Sequence, residues 1–329
     1  MILGIAAVAT GIVFALWRAW VPLPPPRTLT ALLKQQQYVE VPLSRGTMGF
    51  LDVTAETQGH ALLLYLDTGN TDNQLEEAVA VRLKLPRRRA SVGIIAAKET
   101  DPPELVTLET SVGAVSSRIE ALLNSQPANK GRKDNGEPPY DGLLGAPFLK
   151  ENAAVIDCGS VQLFLRGRAH QPSPTAAAER ARLLKDAGYI ELPLTLRANG
   201  LPDVTAELNG ERVVFLLDTG AQLTNLDQSL ADRLRLPQRD TPGQFNLLLD
   251  GSELPLKTAS VKQLAIGGIS APVEAVLLPM TKLNEWRQGE GYPPWAGLLG
   301  AEVLQRLGAV IDFEASKLFL LDPQRKRGR

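Results

Sequence analysis

The chain has 329 residues, about twice the ~150 residues of a typical domain, which favours two compact domains over a single large one. Its 35 basic and 36 acidic residues argue against nucleic acid as the main partner, and 44% hydrophobic residues exclude a chain that is disordered throughout. One cysteine and two histidines exclude a disulfide scaffold and are too few for most structural zinc sites, so no metal or cofactor is expected.

The N-terminal segment has the composition of a membrane anchor. No residue from Ile2 to Trp17 is charged, and the apolar run continues past Arg18 until a proline-rich stretch at 22–26. We expect one membrane-spanning helix within residues 1–21, and an anchor with its linker over 1–30. The alternatives are a buried helix and a cleaved signal peptide, although the segment lacks the basic start and the clear cleavage site of a signal peptide.

The rest of the chain contains one domain twice. At a constant offset of 151, Tyr38–Gly69 and Tyr189–Gly220 are identical at 15 of 32 positions. At an offset of 155, Gly142–Leu165 aligns with Gly297–Leu320. Two copies of domain size indicate a tandem duplication and not a solenoid. The predicted segments are a first lobe over 31–166, a linker over 167–181, a second lobe over 182–322 and a basic tail over 323–329.

Most of each copy has the pattern of β-strands. Leu62–Leu66 and Val213–Leu217 are short apolar runs that end at Asp-Thr-Gly, as a buried strand before a turn would. Short helices are predicted over 74–85, 225–236, 146–152 and 301–307, and apolar strands close each copy. In the linker, a proline-containing breaker precedes an Ala/Arg/Leu-rich stretch that favours a helix.

Each apolar run leads into the same three residues. They are Asp67, Thr68 and Gly69 in the first copy and Asp218, Thr219 and Gly220 in the second. A single aspartate at such a place most often belongs to a turn or a helix cap. Two copies packed about a pseudo-two-fold axis would instead bring two carboxylates side by side, where both cannot be ionised. One shared proton would then leave an acid and a base.

A second repeated motif, Gly-Leu-Leu-Gly at 142–145 and 297–300, precedes a short helix in each copy. With the run into Asp-Thr-Gly, the middle region of strands and the closing strand, it resembles the retropepsin-like aspartic proteases over 38–322. The resemblance implies an all-β fold of two retropepsin-like lobes related by a pseudo-two-fold axis, here fused in one chain. It also implies an aspartic endopeptidase that hydrolyses protein or peptide substrates under a β-hairpin flap, within 87–111 and 238–265.

The resemblance assigns roles to the residues that match its motif. Asp67 and Asp218 would be the catalytic dyad, with a water between them. Thr68 and Thr219 would brace the two loops by hydrogen bonds across the axis. The glycines that follow, Gly69 and Gly220, would let backbone N–H groups approach the carboxylates.

The residue after the motif differs between the copies. The family usually has Ala, Ser or Thr there, and the second copy has Ala221, but the first has Asn70. Asn70 could hydrogen-bond the carboxylate, or it could crowd the site. It therefore motivates an alternative, a catalytically inactive peptide-binding or assembly module of the same fold. We expect a monomer with intramolecular pairing of the lobes, and the alternative is a dimer in which equivalent lobes of two chains pair.

Other repeated or unusual residues predict structural roles. Asp157 and Asp312 each follow an apolar strand into a turn, which is typical of a turn acid. Cys158 aligns with Phe313, which indicates a packing position. For the location, the resemblance to membrane-anchored bacterial proteases implies an extracytoplasmic, periplasmic protease domain. The basic residues that follow the predicted span, from Arg18 onward, favour the opposite orientation.

Overall fold

The computed structural model describes residues 27–46, 49–89, 103–126, 128–167, 170–247 and 253–322. The predicted membrane span within 1–21 and the predicted basic tail over 323–329 lie outside these ranges. So do 90–102 and 248–252, which belong to the two predicted flap regions. In the part of the chain that is described, no helix has the length and apolar character needed to cross a membrane.

The described part of the first half contains eleven strands, six of which form a closed barrel. Its strands are β1 (Val39–Pro42), β2 (Ser44–Arg45), β3 (Leu51–Thr57), β4 (His60–Asp67), β5 (Asn73–Leu75), β6 (Arg87–Arg89), β7 (Glu104–Val112), β8 (Val115–Leu123), β9 (Gly142–Gly145), β10 (Val155–Asp157) and β11 (Gln162–Leu165). Strands β3, β4, β9, β5, β8 and β7 pair in that order, and β7 pairs again with β3, which closes a ring of six strands. Along β3, Val53 and Ala55 are buried in the barrel core while Thr54 and Glu56 are exposed, the alternation of a strand with one face in the core.

The second half repeats this barrel. Its strands are β12 (Tyr189–Pro193), β13 (Thr195–Leu196), β14 (Pro202–Leu208), β15 (Glu211–Leu217), β16 (Asn225–Asp227), β17 (Gln238–Leu247), β18 (Glu253–Ile266), β19 (Ile269–Leu278), β20 (Gly297–Leu299), β21 (Val310–Asp312) and β22 (Lys317–Leu321). The ring runs β14, β15, β20, β16, β19 and β18, and β18 pairs again with β14. The fold is therefore all-β, with two closed six-stranded barrels.

A separate six-stranded sheet joins the two barrels, in the order β1, β11, β10, β21, β22 and β12. Its centre is the antiparallel pair of β10 and β21, where Ile156 lies opposite Ile311. Those two residues are equivalent at the 155 offset. The local axis of the duplication therefore passes through this pair, and each half contributes three strands to the sheet.

The helices are short. They are α1 (Arg27–Gln35), α2 (Glu77–Arg82), α3 (Ala128–Asp134), α4 (Ala146–Glu151), α5 (Pro174–Asp186), α6 (Gln228–Arg233), α7 (Thr281–Gly289) and α8 (Ala301–Arg306). The helices predicted over 146–152 and 301–307 are confirmed as α4 and α8. The linker helix is confirmed as α5, whose N-cap Ser173 accepts a hydrogen bond from the Ala176 N–H at 3.3 Å.

The helices predicted over 74–85 and 225–236 are shorter than expected. Residues at the start of each range form β5 and β16, because they pair with β9 and β8 in the first barrel and with β20 and β19 in the second. Lys84 and Arg235 then end the helical region with φ of 52° and 50°, just before the prolines. Helices α3 and α7 also lie in the middle region, where only strands were predicted.

Helices α1 and α5 pack together over one face of the joining sheet, where Leu33 and Leu184 meet Phe164 and Phe319 in a buried cluster. Among these apolar side chains, Arg180 of α5 is 1% exposed. Its guanidinium donates to Asp312 at 2.7 Å and to Glu314 at 2.9 Å, both in the second half.

A residue of the first half also contacts this cluster. Tyr38 directly precedes β1, and its hydroxyl donates to Glu314 at 2.6 Å. The carboxylate of Glu314 thus receives donors from the linker helix and from the first half of the chain. This arrangement ties both halves to α5 on that face of the sheet.

Candidate active site

Two equivalent loops meet between the barrels. Asp67 is the last residue of β4, and Asp218 directly follows β15. Their side chains are 7% and 8% exposed, and the two carboxyl groups hydrogen-bond each other. The strands that lead into the loops are apolar and buried, as the sequence pattern predicts, so two carboxyls stand where an isolated charge would be costly.

The two threonines connect the loops through four hydrogen bonds. The Thr68 hydroxyl donates to the Leu217 carbonyl at 2.8 Å and accepts from the Thr219 N–H at 3.0 Å. The Thr219 hydroxyl makes the equivalent bonds, donating to the Leu66 carbonyl at 2.8 Å and accepting from the Thr68 N–H at 3.1 Å. Both threonines are fully buried, so these bonds fix the separation of the two aspartates without competition from water.

The glycines after the threonines lie directly against the opposite aspartate. A Cβ placed at Gly69 would lie 2.6 Å from Oδ2 of Asp218, and one placed at Gly220 would lie 2.6 Å from Oδ2 of Asp67. Only glycine leaves room for the carboxyls to approach. Each glycine N–H also donates to the aspartate of its own loop, at 3.0 Å for Gly69 and 2.9 Å for Gly220.

The two aspartates differ in their electrostatics. Burial raises the pKa of Asp67, while hydrogen bonds from Asp218, from the Gly69 N–H and from Asn70 oppose that rise. The pKa of Asp218 lies well above its usual range, because the carboxyl is buried and faces the charge of Asp67. Two buried carboxyls in contact favour a single shared proton, since ionising both would place two negative charges side by side. Such a pair can donate one proton and accept another.

The residues after the motif are the source of part of this difference. The side chain of Asn70 hydrogen-bonds Asp67, and it is 9% exposed. Ala221 offers only its backbone N–H, which donates to Asp218 at 3.0 Å. The structure thus places all eight residues singled out in the sequence around one pair of carboxyls.

The Gly-Leu-Leu-Gly motif forms the strand that pairs with the strand leading into each aspartate loop. In the first barrel β9 runs between β4 and β5, and a Cβ at Gly142 would overlap the Gln74 carbonyl of β5. In the second barrel a Cβ at Gly297 would overlap the Asn225 carbonyl of β16 in the same way. The motif needs glycine there because the backbones of two paired strands approach closely, with no room for a side chain.

A second repeated cluster, beside the site, was missed in the sequence. In the first barrel Asp52 is buried on the face of β3 opposite the core, where the Tyr140 hydroxyl donates to it at 2.6 Å and Arg132 at 3.3 Å. Asn129 of α3 exchanges two hydrogen bonds with the backbone of Tyr140, at 3.0 and 2.7 Å. These bonds attach α3 to the outside of the barrel, just before Gly142.

The second barrel has the same cluster. Arg287 donates to Asp203 at 2.8 Å and the Trp295 indole N–H donates to it at 2.6 Å, while Asn284 exchanges two bonds with the backbone of Trp295. The signal for it was present in the sequence, as Asn-x-x-Arg followed by Pro-Pro, an aromatic residue and the Gly-Leu-Leu-Gly motif. That pattern repeats at the 155 offset.

The other acidic and thiol groups have structural environments. Asp157 accepts hydrogen bonds from the N–H groups of Gly159 and Ser160, and Asp312 accepts from the Ala315 N–H as well as from Arg180. Both are turn acids, as the sequence pattern predicts. Cys158 is 1% exposed, and burial raises the pKa of its thiol to about 12, so it stays a neutral packing residue.

Comparison with sequence models of protein families gives a match in the second half of the chain. The sequence model of a family described as aspartyl protease matches residues 204–303. The match begins in β14 and ends in α8, so it includes the loop of Asp218 and the second Gly-Leu-Leu-Gly motif. A search of the curated proteins finds no match. An aspartyl-protease-like domain is therefore supported for the second half of the chain, and the equivalent barrel in the first half hints at a tandem duplication.

Proposed function

We propose that this chain is a single-chain aspartic endopeptidase whose catalytic dyad is Asp67 and Asp218, one from each barrel. The observation that carries the proposal is the hydrogen-bonded pair of buried carboxyls, held between loops that Thr68 and Thr219 connect. The family match over 204–303 supports the same class of reaction.

In the proposed mechanism a water between the two carboxyls is the nucleophile. Asp67, the ionised member, accepts a proton from this water as it attacks the peptide carbonyl carbon, and Asp218 donates its proton to the carbonyl oxygen. Asp67 then passes its new proton to the leaving nitrogen, and Asp218 regains one from the hydroxyl of the tetrahedral intermediate. The C–N bond breaks and the dyad returns to its starting state, with one proton.

We also propose that two hairpins cover the substrate. Each barrel has a strand pair in the predicted flap region, β6 with β7 in the first and β17 with β18 in the second. The second pair is longer, since β18 runs over Glu253–Ile266. The two sides of the cleft would therefore differ in length, which favours a substrate bound in one direction.

The first test is peptide hydrolysis by the purified full chain at mildly acid pH, with a broad peptide library. We expect Asp67→Asn and Asp218→Asn each to lower kcat by about 10²–10⁴-fold, because each removes one proton-transfer group. The matched control is Asp186→Asn, the same change at an exposed aspartate at the end of α5. A pepstatin-like inhibitor should block the wild type and the control equally.

Two outcomes would contradict the proposal. One is an Asp218→Asn variant that cleaves as fast as the wild type. The other is a wild type that cleaves nothing in the library but binds peptides, with affinities that neither aspartate substitution changes. The second outcome would instead favour the inactive peptide-binding module of the same fold.

We further propose that the active species is a monomer, anchored by residues 1–21 with its barrels outside the cytoplasm. The joining sheet supports a monomer, since it takes three strands from each half of one chain. The mass of the active species, measured by light scattering with detergent subtracted, should correspond to one chain. A protease-protection assay on intact cells should show on which side of the membrane the barrels lie.

A further inference from the structure

A chain of side-chain amides leads to the dyad from the first barrel. The Tyr65 hydroxyl donates to Oε1 of Gln126 at 3.1 Å, and Nε2 of Gln126 donates to Oε1 of Gln74 at 3.3 Å. Nε2 of Gln74 then donates to Oδ1 of Asn70 at 3.4 Å, and Asn70 hydrogen-bonds Asp67. All four side chains before Asp67 are at most 9% exposed. We call Asn70, Gln74 and Gln126 the amide chain.

The amide chain fixes the orientation of Asn70. Its Oδ1 accepts from two donors, the Asp72 N–H at 3.1 Å and Nε2 of Gln74. A carboxamide has its oxygen on one side and its NH₂ on the other, so with the oxygen engaged the NH₂ faces the Asp67 carboxylate. A donor held in this way stabilises the ionised form of Asp67 more than the protonated form, because a carboxylate oxygen is the stronger acceptor.

The second barrel has no equivalent among its described residues. Asn70 is replaced by Ala221, Tyr65 by Leu216, and Gln126 by Thr281 at the 155 offset. The counterpart of Gln74 is Asn225, and its Nδ2 donates at 2.9 Å to the backbone carbonyl of Leu223, away from any equivalent of Asn70. Among the described residues, the asymmetry of the dyad therefore has a structural source in the first barrel.

We propose that the amide chain positions the negative charge on Asp67, so that Asp67 is the base and Asp218 the acid at the start of each turnover. This inference rests on the proposed function only for its kinetic consequence. Asn70, Gln74 and Gln126 are positioning residues, because they act through Asp67 and not on the substrate. In a symmetric pair the proton would have no preferred side, and both directions of proton transfer would be populated.

Few other ionisable groups face the dyad from the elements packed around it. Tyr65 lies on β4, and burial and the charges of Asp67, Tyr140 and Asp218 hold its pKa well above the usual value. It therefore stays neutral through the acid range. Asp72 lies in the same loop as Asp67, where it accepts a hydrogen bond from the Thr71 hydroxyl at 2.7 Å. The substitutions at Asp67 and Asp218 are therefore needed to distinguish the two dyad signals from those of the other aspartates.

The decisive experiment is an NMR titration of the full chain with ¹³C-labelled aspartate carboxyls, in which Asp67→Asn and Asp218→Asn identify the two signals. In the wild type we expect Asp67 to ionise at lower pH than Asp218. In Asn70→Ala we expect Asp67 to ionise at higher pH by about 0.5–1 unit, because one hydrogen bond to its charged form is lost. Gln74→Met, which removes the amide and keeps the volume, should shift it in the same direction by less.

The matched control is Asn225→Ala, the equivalent of Gln74 in the second barrel, which should leave both titrations unchanged. Equal shifts in Asn70→Ala and Asn225→Ala, or a wild type in which Asp218 ionises first, would overturn the inference. In kinetics, Asn70→Ala should move the acid limb of the kcat/KM profile to higher pH. Since the NMR measurement needs no turnover, an inactive wild type would contradict the proposed function and leave this inference testable.

Discussion

At the scale of single residues, the site shows how identical motifs acquire different roles. Asp67 and Asp218 lie in equivalent loops, and each has a glycine N–H donor and a bracing threonine in its own loop. They differ in the residue that follows the shared motif, Asn70 against Ala221. A single hydrogen-bond donor next to a coupled pair decides which member is charged, because the two ionisations compete for one proton.

The raised pKa of Asp218 predicts a dependence of stability on pH. In the unfolded chain an aspartate ionises near pH ~3.9, whereas in the folded protein Asp218 ionises at much higher pH. Between these values the folded state holds the extra proton, so its stability is full below the unfolded pKa and falls as the pH rises toward the folded one. Each unit of difference is worth about 1.4 kcal/mol.

Asp218→Asn should remove this dependence. We expect the variant and the wild type to have similar free energies of unfolding at pH 4, and the variant to be more stable at pH 7. Urea unfolding followed by circular dichroism at both pH values measures the difference. A variant that is less stable than the wild type at pH 7 would contradict the assignment of the raised pKa.

At the scale of elements, the site depends on strands that pass very close to one another. Gly297→Ala would place a methyl group on the Asn225 carbonyl, so β20 and β16 would have to separate. We expect a loss of about 1–3 kcal/mol in the free energy of unfolding, together with lower activity, because β20 supports the loop of Asp218.

The control for this change is Gly289→Ala, at the end of α7. A Cβ there would meet nothing within 4 Å, so the stability should stay within about 0.5 kcal/mol of the wild type. Chemical unfolding of the two variants side by side separates the effect of the close approach from that of adding a methyl group. Equal effects would contradict the role given to the motif.

Many of the strands and helices could be predicted from the sequence. The duplication, the strands that end in Asp-Thr-Gly and helices α4 and α8 follow from local pattern and from the repeat. Strands β5 and β16 did not, because a three-residue strand is defined by its partners β9 and β20, which are distant in the sequence. Helices α3 and α7 were not predicted either, since they contain few apolar residues and are attached to the barrels by buried Asp–Arg pairs.

The candidate site was predicted in part. The duplicated motif predicted the positions of both aspartates and of their neighbours in the loops, and the structure brings these residues together. The amide chain could not be predicted, because Gln74 lies on β5 and Gln126 in the loop after β8, and nothing in their local sequence links them to Asn70. Their roles in catalysis remain predictions.

At the scale of the whole molecule, the two barrels share one interface and should unfold together. The joining sheet and the cluster around α1 and α5 contain residues of both halves, and Arg180 contacts groups from each. We expect thermal unfolding to be a single transition. Two separate transitions would show that the halves are independent.

Arg180→Met should lower the temperature of that single transition. The variant would leave Asp312 and Glu314 buried without their main charged partner, which we expect to cost about 3–5 kcal/mol. Arg182→Met, at an exposed position on the same helix, is the matched control and should have little effect. Scanning calorimetry of both variants measures the difference, and equal transition temperatures would contradict the stabilising role given to Arg180.

The presence of both halves in one chain affects how mutations can accumulate in the site. In a protease assembled from two copies of one gene product, every mutation appears on both sides of the axis, so Asn70 and Ala221 could never face each other. Here each half can accumulate its own substitutions. A change that would be harmful if it occurred twice can then persist once, and the acid, the base and each wall of the cleft can be selected separately.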